Sequence, residues 1–236
     1  MKMSKGTLFV DCKMSKVAVD TLKSLGYEVI KSLENVYLEE HVCSHPDMSL
    51  TKICDKIFAD RVLEHLFFGW GDVNFINREV TVGEILKYPN SIAFNCVQVG
   101  NKLFCNEKYT HEEILNYALK CNLKIVNTKQ GYAKCSICVV SDNAIITEDD
   151  SIEKCAIDNG VDVLKIKKGF VALDGYDYGF IGGASGLIER NLLVFNGNIE
   201  THPDFEKIKN FCLKYNVQIV SLCSDKLYDV GSIIKL

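Results

Sequence analysis

The chain has 236 residues, 47% of them hydrophobic and 25% charged, with a net charge of −4. Such a chain can bury a full core. Its Lys and Arg are spread along the chain, which argues against a nucleic-acid footprint, and no uncharged apolar run reaches the length of a membrane span. Eleven cysteines, an odd number set mostly within apolar strands and helices, fit thiols used as small core residues in a reducing compartment. Met1-Lys2-Met3-Ser4-Lys5-Gly6 leads into a strand without a secretory apolar region, so the expected location is cytoplasmic.

Taken in order, Thr7 to Asp11 reads as a short strand and Met14 to Leu25 as a helix. Gly26 stops that helix, and Tyr27 to Ile30 forms the next strand. After a connector, His45-Pro46-Asp47 opens a strand that turns at Cys54-Asp55 into Ile57 to Asp60. A short helix, Arg61 to Phe68, ends at Gly69-Trp70-Gly71, and Val73 to Ile76 closes the unit. The third unit starts near Ile92, turns at Gly100-Asn101 and runs through Leu103 to Asn106. Its helix opens at Thr110-His111-Glu112-Glu113, a capping box with Thr110 as the cap, and stops at Asn122 before Leu123 to Val126.

The fourth unit is the clearest. Cys135 to Val140 and Ala144 to Thr147 make a hairpin over Ser141-Asp142-Asn143. Asp149-Asp150-Ser151 then begins a helix that ends at Asn159-Gly160, and Val161 to Ile166 follows. The fifth turns at Arg190-Asn191, continues as Leu193 to Asn196, and opens a helix at Thr201-His202-Pro203-Asp204 with Thr201 as the cap. Asn216 stops it before Val217 to Val220. Gly231 to Leu236 supplies the first strand that the opening unit lacks.

Each unit therefore reads strand, strand, helix, strand. The middle strands end on Asp11, Asp60, Asn106, Glu148 and Asn196, about 40 to 50 residues apart, a period that marks a repeat array or propeller. The expected fold is a single α/β domain over 1–236, with repeats at 231–236 plus 7–30, 45–76, 92–126, 135–166 and 186–220. The expected architecture is a five-fold pseudo-symmetric α/β propeller whose ring is closed by pairing of the N- and C-terminal strands.

Five such units resemble the pentein fold of the guanidino-group-modifying enzymes: arginine and agmatine deiminases, amidinotransferases and dimethylarginine hydrolases. A ribosome anti-association factor shares the fold without being an enzyme. The stretch from Ser44 to Phe58 is similar to an arginine deiminase segment that reads His-x-Asp, apolar and Thr positions, a turn and Asp-Lys. The resemblance implies a general acid/base role for His45 and a guanidinium-gripping role for Asp47. Tyr228 to Leu236 resembles bacterial members of the fold without a defined activity.

The family reaction uses a thiolate nucleophile, a proton-moving His and carboxylates that hold the cation. The resemblance puts that thiol at the start of the last first strand, which here reads Gly231-Ser232-Ile233-Ile234-Lys235-Leu236 and has none. Ser232 has no neighbouring base in the sequence and reads as structural, and Lys235 has the wrong charge for a guanidinium site. Cys96, which follows His45 by one repeat, is the candidate replacement. A buried core thiol is its other reading, and Cys223 is a second candidate. Cys135 and Cys138 spell C-x-x-C, but on a strand they face opposite sides, and no second pair stands at zinc spacing. No metal or cofactor is expected, and Gly182-Gly183-Ala184-Ser185-Gly186 reads as a tight connector.

Asp174, Asp177 and Asp229 precede first strands. With Asp47 they would form an acidic, aromatic-walled pocket for a cation, unless they are solvated loop acids. The functional expectation is a central small-molecule site for a cationic guanidino or amino-acid-like ligand. With the C-terminal Cys absent, binding is expected rather than turnover. The alternatives are an active guanidino hydrolase, deiminase or amidinotransferase using Cys96 with His45, and a non-catalytic protein-interaction module.

Overall fold

The computed structural model describes residues 4–81 and 83–236. Of the Met1–Gly6 lead-in, Met1, Lys2 and Met3 lie outside the described residues. The first unit contains β1 (Thr7–Val10), α1 (Lys16–Ser24) and β2 (Glu28–Lys31). The second contains a short turn of helix, α2 (Pro46–Ser49), then β3 (Leu50–Ile53), β4 (Lys56–Asp60), a 3-10 helix (Arg61–Phe67) and β5 (Val73–Ile76). The third contains β6 (Val97–Val99), β7 (Lys102–Cys105), α3 (Glu112–Lys120) and β8 (Lys124–Asn127). The fourth contains α4 (Ala133–Ser136), β9 (Cys138–Ser141), β10 (Ala144–Thr147), α5 (Asp150–Asp158) and β11 (Asp162–Lys165). The fifth contains β12 (Ser185–Glu189), β13 (Leu192–Phe195), α6 (Phe205–Lys214) and β14 (Gln218–Ser221), after which β15 (Ile234–Lys235) returns to the first unit.

The strands form five similar three-stranded sheets. In each, the middle strand pairs antiparallel with the first strand and parallel with the third. Short antiparallel hairpins and helix crossovers are the connections these two pairings require.

The expected closed ring is corrected by this topology. Among the described residues no sheet closes on itself or continues into its neighbour. β1 and β15 do pair, through Leu8↔Lys235 and Phe9↔Ile234, but this completes one three-stranded sheet and nothing larger. The physical reason is that neighbouring units meet through side chains and isolated hydrogen bonds rather than a shared ladder. One apolar cluster joins Phe58 of the second unit to Phe94 and Leu103 of the third. Another joins Phe104 of the third to Ile145 and Ile152 of the fourth, and a third joins Cys138 and Ile146 to Leu193 and Phe195. Strands packed on both faces in this way read as continuous apolar runs instead of an alternation.

The polar residues ending the middle strands fasten the connectors. Asp11 Oδ2 accepts from Ser44 Oγ at 3.0 Å. Asp60 Oδ2 accepts from Arg78 Nε at 2.6 Å, and Glu148 Oε1 accepts from the Ile181 amide at 2.9 Å. Asn196 Nδ2 donates to the Tyr228 carbonyl at 3.0 Å.

Helix ends follow local chemistry, with two corrections. Asp149 caps α5 through the Ser151 and Ile152 amides, and Asn122 and Asn216 take positive φ where α3 and α6 stop. The cap of α3 is His111, whose side chain accepts from the Glu113 amide, while Thr110 Oγ1 donates to the Asn106 carbonyl. Thr201 lies in a 3-10 turn capped by Asn198, and α6 starts later, at Phe205. No helix among the described residues is long and apolar enough to cross a membrane.

Candidate functional site

His45, Pro46 and Asp47 do not sit on a strand. Pro46 has the fixed φ and missing N–H suited to the first position of a helix, and residues 46–49 take one helical turn before β3 begins. That turn carries Asp47 inward, fully buried. The fourth unit repeats the device: residues 133–136 form α4, with Cys135 three residues before β9, as Asp47 is three residues before β3. The two side chains meet, with the Cys135 thiol 3.0 Å from Asp47 Oδ2. Ser232 Oγ also donates to that oxygen, at 2.7 Å. Asp47 Oδ1 is buried without a partner among the described residues.

Above this cluster lies a cavity of about 250 Å³. His45, Cys135 and Asp229 line its buried end, and Tyr132, Tyr178 and Phe180 form its walls. Asp177 and Tyr176, both exposed, stand at its mouth. The His45 ring is held between carboxylates without bonding to either. Nε2 is 3.9 Å from Asp11 Oδ2, and Nδ1 is 3.9 Å from Asp229 Oδ1. Gly231 and Gly183 make this closeness possible. A Cβ at Gly231 would lie 2.2 Å from His45 Cβ, and one at Gly183 would lie 2.0 Å from Asp229 Oδ1.

The local electrostatics are those of crowded acids. Asp229 accepts from the Phe180 and Gly231 amides, each at 2.9 Å. Burial, reinforced by the charge of Asp47, still raises its carboxyl above the usual range. Glu148, with one oxygen unpartnered, is pushed up to about 8 by burial. Burial and then the charges of Asp47 and Asp229 hold the Cys135 thiol well above its ordinary value. Asn95 braces the same turn, donating to Cys135 Sγ at 3.2 Å and accepting from the Lys134 amide at 2.8 Å.

Of the residues singled out in the sequence, the fold brings together His45, Asp47 and Asp229, with Asp177 at the mouth. Asp174 is exposed and outside the cavity, its amide donating to Tyr228 Oη at 3.3 Å. Cys96 is not brought to His45. It immediately precedes β6, so its side chain enters the seam between the second and third units. There its sulfur lies 3.6 Å from Thr51 Oγ1, and burial pushes the thiol up to about 12.

The thiol that the structure places beside Asp47, in the cavity lined by His45, is Cys135. Aligning it with Asp47 by distance from the following strand would have found it; reading C-x-x-C as strand hid it. Arg78 was missed as well. It is buried, pairs with Asp60, and donates to the carbonyls of Ser91 and Met48, thereby fixing the turn that presents Asp47. Among the described residues no group of three or more His, Cys, Asp or Glu side chains is arranged to hold a metal ion.

No curated protein matches this sequence. Solved structures do. SxtG, an amidinotransferase of the saxitoxin biosynthetic pathway of Microseira wollei, is 10% identical with a TM-score of 0.54, over 94% of this chain and 89% of that one. A Cys-to-Ser variant of DDAH from Pseudomonas aeruginosa, complexed with citrulline, is 8% identical with a TM-score of 0.55, over 94% and 93%. An agmatine deiminase of C. jejuni is 11% identical with a TM-score of 0.53, over 93% and 88%. These likenesses show that the chain shares its fold with these three enzymes. A model of the family of unknown function DUF6873 matches residues 9–234, and the chain belongs to that family.

Proposed function

We propose that the cavity over His45 binds a small cationic molecule, a guanidino or amino-acid-like compound. The observation that carries this reading is an excess of buried carboxyl groups around a single imidazole. Asp11 and Asp229 flank His45, and Asp47 lies behind Cys135 with one oxygen unpartnered. Crowded carboxylates lower their repulsion either by keeping protons or by taking up a cation. The walls suit a cation too, since the faces of Tyr132, Tyr178 and Phe180 offer negative quadrupole potential. The fold shared with an amidinotransferase, a DDAH and an agmatine deiminase supports a guanidino compound among possible cations.

Isothermal titration with arginine, agmatine, guanidinium and neutral citrulline tests the proposal. Saturable binding of at least one cation, weakened in Asp229→Asn, is the expected result. Equal or tighter binding of citrulline than of every cation would refute it.

The position of Cys135 favours a second reading, turnover of a guanidino compound. A bound guanidinium would offset the Asp47 and Asp229 charges that keep the thiol protonated. The thiol proton would leave, Sγ would bond to the guanidinium carbon, and a C–N bond would break as the departing amine takes up a proton. Water would then displace sulfur to give a ureido product. His45, with both ring nitrogens free of hydrogen bonds to described residues, is placed to carry these protons. Release of amine or ammonia that disappears in Cys135→Ser and persists in Cys96→Ser would establish this reading. Absence of release from a panel of guanidino compounds that do bind would eliminate it.

A further inference from the structure

The first strands of the five sheets are mixed in polarity, and two of them carry a lysine: Lys52 in β3 and Lys235 in β15. An ammonium in such a strand must reach water or a counter-charge, because burying it alone is costly. Both reach a second cavity of about 310 Å³, distinct from the one over His45 and bounded by residues of all five first strands. Lys134 reaches it as well, from the helical turn whose next residue, Cys135, faces the other cavity.

The three lysines differ in their partners. Lys235 Nζ pairs with Glu189 Oε1 at 2.8 Å. Lys52 Nζ and Lys134 Nζ make no hydrogen bond or ion pair with any described residue. Asp142 is the acid lining the cavity, and Asp55 acts on Lys52 from the adjacent turn. Burial, and then the charge of Lys235, push the Lys52 ammonium below its ordinary range, with Asp55 acting in the opposite direction.

We propose that this second cavity binds a small phosphate-type oxyanion, held by Lys52 and Lys134 with Lys235 beside them. Lysines from separate elements that line one cavity, two of them unpartnered among the described residues, offer point donors suited to phosphate oxygens. The site takes the opposite charge from the one over His45 and does not depend on the function proposed for it.

The test is titration of the full chain with inorganic pyrophosphate and orthophosphate, at ionic strength held constant with chloride, followed by melting temperature and calorimetry. A saturable rise in melting temperature is expected. Lys52→Met should weaken binding at least about tenfold, the usual scale for losing one charge-assisted hydrogen bond. Lys134→Met gives an independent reading if Lys52→Met does not fold, and Lys168→Met, an exposed lysine elsewhere, serves as the control. The proposal is overturned if chloride alone reproduces the shift. It is also overturned if the folded Lys52→Met or, failing that, Lys134→Met protein binds both anions within tenfold of wild type.

Discussion

Replacing Glu148 with Gln tests how far the buried acids near His45 are held protonated. One Glu148 oxygen accepts from the Ile181 amide and the other is unpartnered, and burial moves the carboxyl from 4.5 up to about 8. The folded protein therefore keeps a proton that the unfolded chain releases above about pH 4.5. The contribution of that proton is complete below about pH 4.5 and is lost as pH rises through about 8, at roughly 1.4 kcal/mol per pH unit. Between about pH 5 and about pH 7.5 this single group takes about 3 kcal/mol from the stability of the wild-type protein. Gln keeps an acceptor for the Ile181 amide and does not titrate. The stability of Glu148→Gln relative to wild type should thus rise by about 3 kcal/mol between those two pH values, measured by urea unfolding of both proteins at each. A relative stability that is constant with pH, or that falls as pH rises, would refute the reasoning.

Arg78→Met should cost about 3–5 kcal/mol by stranding Asp60 as a buried charge, and Arg78→Met with Asp60→Leu should recover much of it, read by denaturant unfolding. Phe104→Ala empties the seam between the third and fourth units and should cost about 3–5 kcal/mol in the same assay. Cys96→Ser should lower stability by about 1 kcal/mol, since a hydroxyl near Thr51 keeps a partner. It should leave cation affinity at the His45 cavity unchanged by calorimetry, whereas Cys135→Ser should change it.

The repeat was legible because the same physical demand recurs in most units. Asp11, Asp60, Glu148 and Asn196 each anchor an incoming connector at the end of a buried strand, so polar residues stand after apolar runs at a regular spacing. How the units join was not legible, because ladder pairing and side-chain packing both call for apolar strands. The turns before the first strands were misread for a related reason. Four residues of helix leave no periodicity to detect, and only Pro46 signalled one of them. Cys96 and Cys135 looked alike as thiols near first strands. A difference of two positions relative to the next strand sends one into a core seam and the other to the His45 cavity. Arg78 stands in a long connector, where no pattern announces a buried ion pair.

A single peptide bond separates Lys134 from Cys135, and Asn95 holds both sides of it, by the amide of one and the sulfur of the other. Consecutive residues therefore line the two cavities at this point, and one side chain is bonded to both residues. Any influence that an occupant of one chamber has on affinity in the other must be returned in equal measure.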